Sequence, residues 1–195
     1  MSLFVKICGL RDRASVLVAA EAGANAAGFV FTESVRQVTP AQAKEAAAGV
    51  DVRRIAVMRH PSNELCQRVL GEFDPDVVQT DAADFATLDI PGHVECWPVF
   101  REGEEAIGTA GVYVYEGPNS GSGETVDWSR AAEIAKRGRM LLAGGLAEDN
   151  VRQAIQTVRP WGVDVSSGVE SLPGYKDHDL IRRFISAVRA AEKEL

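Results

Sequence analysis

Short apolar runs and amphipathic stretches take turns along this chain, and the alternation repeats eight times. Parallel strands buried on both faces read as nearly unbroken apolar runs, so strands are predicted over residues 3–8, 26–31, 54–58, 76–79, 94–100, 111–115, 139–143 and 162–165. Between the first two, Ala14, Leu17 and Val18 recur at helical spacing before Gly23, a common helix terminator. Thr39-Pro40 opens a second helix reaching about residue 49, since threonine caps free N–H groups and proline loses no bond in the first turn. Further helices are predicted over 61–73, with Leu65, Val69, Leu70 and Phe73 on one face, and over 102–107, 128–137 and 148–158. A weaker one lies around Phe85 and Leu88, and a last one carries Ile181, Phe184, Ile185 and Val188 on one face.

Eight strand and helix pairs point to an α/β fold closed into a (βα)8 TIM barrel, read as a single domain over residues 1–195. At 195 residues the chain is near the lower size limit of that fold, so several helices and loops must be trimmed. The alternative, an open doubly wound sheet, would bind a dinucleotide through GxGxxG after the first strand, and no such motif follows Gly9.

A net charge of -7 with no lysine or arginine run disfavours a nucleic-acid partner but leaves room for a small anion held by local fields. No apolar stretch is long enough for a membrane span, and the amino terminus does not read as a secretion signal, so a cytoplasmic location is expected. Cys8, Cys66 and Cys96 are odd in number and fit neither a disulfide framework nor a zinc knuckle; reduced thiols and no metal site are expected.

Barrels of this kind do chemistry at the carboxyl ends of their strands. Cys8 is the last residue of the first strand, and Gly9 permits a tight turn close to a ligand. An isolated cysteine is more often a small buried hydrophobe; its position singles this one out. Ala143-Gly144-Gly145-Leu146 and Ser166-Ser167-Gly168-Val169 follow strands seven and eight, where backbone N–H groups and a short helix commonly hold a phosphate. Gly144, Gly145, Ser166, Ser167 and Gly168 are therefore candidate phosphate ligands, with a helix expected to start near Val169. Gly121 and Gly123, in the glycine- and serine-rich 117–123 loop, are candidates for a cover over the same phosphate. Asp164, just before Ser166, is an inward-pointing carboxylate candidate.

Lys6-Ile7-Cys8-Gly9, Gly28 to Phe31, Ser34 to Arg36, Val78-Gln79, Gly121 to Gly123 with Val126-Asp127-Trp128, Leu142 to Leu146 and Val163 to Glu170 occur in an order that resembles phosphoribosylanthranilate isomerase over nearly the whole chain. The resemblance implies an Amadori rearrangement in tryptophan biosynthesis: N-(5-phosphoribosyl)anthranilate becomes an open-chain 1-deoxyribulose 5-phosphate, with no cofactor. Its partner would be this small phosphosugar. It implies that Cys8 is the base, that Arg36 faces the anthranilate carboxylate, and that Gln79 and Asp164 border the substrate.

Two positions depart from the family pattern. The family's acid is an aspartate ending the sixth strand; counting back from Gly123 places Glu116 there, with the same chemistry on one more methylene. Asp81 stands where the family has a histidine, adding a negative charge near a carboxylate-bearing substrate. Set against the isomerase is a barrel that keeps the phosphate site but has weak or altered activity. The oligomeric state is not set by the sequence.

Overall fold

The computed structural model describes residues 2–104, 111–117 and 125–195. Eight strands close into a barrel in chain order: β1 (Phe4–Cys8), β2 (Ala26–Val30), β3 (Arg53–Val57), β4 (Val77–Asp81), β5 (Glu95–Arg101), β6 (Val112–Glu116), β7 (Arg139–Leu142) and β8 (Gly162–Val165). All neighbours run parallel, and β8 pairs back onto β1 with Lys6 opposite Asp164. This is the expected TIM barrel.

The outer layer holds α1 (Arg13–Ala22), α2 (Pro40–Ala47), α3 (Asn63–Phe73), α4 (Trp128–Ala135), α5 (Val151–Val158) and α6 (His178–Glu192). Asp12 caps α1 by accepting from Ser15 N, and Thr39 and Gln42 form a reciprocal capping box on α2. The buried face of α1 is Val16, Val18 and Ala19, a register shifted from the Ala14, Leu17 and Val18 stripe, because closely spaced small apolar residues support either face. On α6, Ile181, Phe184, Ile185 and Val188 are all buried, as their spacing predicts. Trimming falls between β4 and β5, where the weak helix is a 3-10 turn, Ala82–Ala86. The expected 102–107 helix lies largely outside the described residues; Glu102 and Gly103 form a turn.

Strand alternation sorts the barrel interior into tiers. At the amino-terminal end of the strands, Phe4 stacks on Trp161 with ring centroids 4.6 Å apart, and Trp97 meets both edge-on. Arg53 and Arg139 lie over the outer faces of Trp97 and Trp161, closing this floor. Ile55, Val77, Val99, Val114 and Leu141 form the apolar tier above it. The next inward positions, toward the carboxyl ends, are Cys8, Gln79, Arg101, Glu116 and Asp164. Phe29, Phe73, Tyr113, Leu142 and Phe184 belong to a separate core between barrel and helices.

Beyond β8 the chain departs from expectation. No helix starts near Val169: Val169 N and Glu170 N donate to Ser166 O and Ser167 O, closing a turn, and a hairpin of β9 (Glu170–Leu172) and β10 (Tyr175–Lys176) follows. Gly174, at φ 83°, makes its bend. The next helix is α6, capped by Asp177.

Candidate active site

The carboxyl ends of the strands surround a cavity of about 230 Å³ lined by Cys8, Arg36, Gln79, Arg101, Glu116, Gly144, Gly145, Asp164, Ser166 and Ser167, among others. Every sequence-predicted site residue within the described part is thus brought to one mouth except Gly168, which sits behind it. A Cβ on Gly168 would lie 2.0 Å from Leu146 O, so glycine here serves close contact between the backbones of the loops after β7 and β8. Gly121 and Gly123 lie outside the described residues. Asn150 fixes the other loop, its Nδ2 donating to Gly145 O at 2.8 Å while its Oδ1 accepts from Ala147 N at 2.9 Å.

On the β8–β1 wall, Lys6 is fully buried and its Nζ lies 2.7 Å from Asp164 Oδ2. Burial pulls the Lys6 ammonium down, but facing Asp164 and Cys8 outweigh it and hold the group above the usual lysine range. Burial pushes the Cys8 thiol up, opposed by Lys6. Asp164 Oδ1, also buried, has no hydrogen-bond partner among the described residues; the same is true of Gln79 Oε1. Two unsatisfied acceptors facing one cavity mark places for donors on a ligand.

Arg36 reaches the mouth from the loop after β2, passing over Gly9, where a Cβ would lie 2.5 Å from its Cδ. Its Nε and Nη2 grip Glu170 at 2.7 and 2.9 Å, and Lys176 Nζ meets the same carboxylate at 2.6 Å. Burial alone would push Glu170 up; hydrogen bonds from Arg36 and Lys176 prevail and hold it down at about 2. Lys176 is itself pulled down by burial, only partly offset by Glu170, so the stabilisation is assigned to the carboxylate. Glu170 thus has a lower pKa folded than unfolded. Its contribution is present in full above the ordinary glutamate range, about pH 4.5, and is lost as pH falls toward about 2. The size is roughly 3 kcal/mol. In thermal melts from about pH 5 to 2, the native chain should lose more stability than Glu170→Gln; parallel slopes would remove this contribution.

Both departures from the family pattern meet at Arg101, at the end of β5. Its Nη1 donates to Glu116 Oε1 and its Nη2 to Asp81 Oδ1. His60 Nε2 lies 3.3 Å from the other Asp81 oxygen, Oδ2. Asp81 is therefore held at the rim beside Arg101 and Arg59 and is absent from the cavity lining. His60, Asp81 and Asp84 lie close enough to share an ion, but His60 Nδ1 is hydrogen-bonded to Asp84 and Arg101 and Arg59 face Asp81.

Sequence reasoning assigned no role to Arg101 and left that of Lys6 open. The signal was present: both occupy inward positions of their strands, two residues from another inward polar or apolar residue, Cys8 or Val99.

Residues 5–187 match the family model described as N-(5'phosphoribosyl)anthranilate (PRA) isomerase. The chain belongs to the phosphoribosylanthranilate isomerase family. An isomerase of this name from Roseiflexus castenholzii is 38% identical, the match covering 98% of this chain and 100% of the relative. The crystal structure of TrpF from Jonesia denitrificans is 32% identical with a TM-score of 0.82, covering 98% of each chain. Another solved phosphoribosylanthranilate isomerase, 28% identical with a TM-score of 0.78 over 96% of this chain and 99% of its own, holds reduced 1-(o-carboxyphenylamino)-1-deoxyribulose 5-phosphate. The activity of this chain is accordingly the isomerisation of phosphoribosylanthranilate in tryptophan biosynthesis. Among the described residues, no helix is long and apolar enough to cross a membrane.

Proposed function

We propose that Cys8 and Glu116 are the base and acid of this isomerisation, acting on a substrate pinned at its phosphate by the 144–145 and 166–168 loops. The observation carrying the assignment is that both side chains line one cavity from β1 and β6, strands separated in the closed ring by β7 and β8. Protonation of the furanose ring oxygen by Glu116 lets its bond to C1 break, and the anilino nitrogen supplies the pair that makes the iminium. Cys8, as thiolate, then takes the C2 proton. The electrons of that C–H bond form C1=C2 while the nitrogen regains its pair, and the enolamine tautomerises to the ketone. No step calls for a metal or cofactor.

The remaining polar groups fit the ends of such a substrate. Gln79 Oε1 and Asp164 Oδ1, the unpartnered acceptors, suit ribose hydroxyl donors. Arg36 grips Glu170 by one edge of its guanidinium, leaving the Nη1 edge for the anthranilate carboxylate. The ligand held by the solved relative carries this same pairing of phosphate and carboxyphenyl ends.

Arg36→Lys tests this arrangement with authentic phosphoribosylanthranilate as substrate. Lysine keeps the charge but cannot hold two carboxylates at fixed geometry, so kcat/KM should fall roughly 10- to 100-fold, mostly through KM. Unchanged kinetics in a folded variant would remove Arg36 from the substrate site.

A further inference from the structure

We propose that Lys6 is a positioning residue for catalysis, favouring the reactive thiolate form of Cys8 through an ammonium anchored on Asp164. This rests on the assignment of Cys8 as base and deepens it. Lys6 and Cys8 are separated by one residue on β1 and point to the same side of the strand. Both pair with β2, where Gly28 lies opposite Cys8. A single Cβ on Gly28 would sit 2.9 Å from Lys6 Cε and 3.2 Å from Cys8 Sγ, so the two side chains converge on the space this glycine leaves open.

Lys6 has no route to solvent: its exposure is 0%, and its Nζ is tied to Asp164 at 2.7 Å. A buried ammonium is costly unless compensated, and a fold that needed only packing here would accept an apolar side chain. The pair instead places a fixed positive charge beside a thiol that burial pushes up, and that charge offsets part of the rise. The other charges facing Cys8 do not substitute for it. Asp164 opposes the thiolate, Lys176 is held by Glu170 at 2.6 Å, and Arg36 is engaged with the same Glu170. Asp164 thus has two effects of opposite sign. It anchors the ammonium, and it draws on the charge that would stabilise the thiolate.

The test is the pH dependence of Cys8 alkylation by iodoacetamide, read by mass spectrometry of the Cys8 peptide in the full-length protein. An opposite charge at this range shifts a titration by about one to three units, so Lys6→Met should move the midpoint upward by at least about one unit. Asp164→Asn should move it downward. Lys6→Met leaves Asp164 buried without its partner and risks misfolding; the Lys6→Met/Asp164→Asn double variant removes that burden and should still show a raised midpoint, by less. The acid limb of the kcat profile should move with the alkylation midpoint in each variant.

Midpoints that stay in place in Lys6→Met and in the double variant would overturn the role of Lys6, whatever happens to turnover. If Cys8→Ala stayed active while the midpoints moved as stated, the fault would lie with Cys8 as base. The two failures are therefore told apart.

Discussion

Cys8→Ala is expected to lower turnover by about 100- to 10,000-fold, the usual contribution of a general base, with KM little changed. The side chain is 8% exposed and small, and alanine fits the same space without a buried polar group, so the fold should survive. Phosphate affinity should also survive, because the 144–145 and 166–168 loops lie on other strands. Cys8→Ser offers a finer comparison: a hydroxyl matches the geometry but ionises far less readily, so it should behave like alanine. Steady-state kinetics with thermal melting decide the matter. A folded Cys8→Ala enzyme turning over at the native rate would place the base elsewhere.

Glu116→Gln is expected to cause a loss of similar size, for a different reason. An amide oxygen can still accept from Arg101, so the rim geometry is largely kept while the transferable proton is gone. The effect should appear in kcat rather than KM, since ring opening follows binding. Turnover close to native in this variant would point to Asp164. Tyr115, its neighbour on β6, is set aside by the alternation of the strand: Val112, Val114 and Glu116 face inward, and Tyr115 is buried in the core between barrel and helices.

Most of the barrel was legible because parallel strands buried on both faces leave a simple mark, an apolar run bounded by turn residues. Boundaries slipped by one or two residues, as at β4 and β5, because the inward residues Asp81 and Arg101 are polar and end the run before the strand ends. The helix expected near Val169 failed for a related reason. Glycine and serine turns precede hairpins as readily as helices, and the pull of Arg36 and Lys176 on Glu170 is a tertiary fact. Cys8, Gln79, Arg36, Glu116 and Asp164, which line the cavity, were legible as candidates because each lies at a strand end or in a motif. The ion pairs around them, Lys6 with Asp164 and Arg101 with Asp81, span 158 and 20 residues; the first is set by barrel closure and the second by the pairing of β4 with β5.

The position of Arg101 bears on how this chain can change over generations. Asp81 and Glu116 sit on different strands, yet they draw on one guanidinium, and residues sharing a partner are coupled by about 0.5–3 kcal/mol. A mutation that neutralised Asp81 would leave Arg101 with Glu116 as its remaining carboxylate on these strands and so change the surroundings of Glu116 without touching it. Substitutions at the two positions are therefore expected to be non-additive, and a change at one is best read against the residue present at the other.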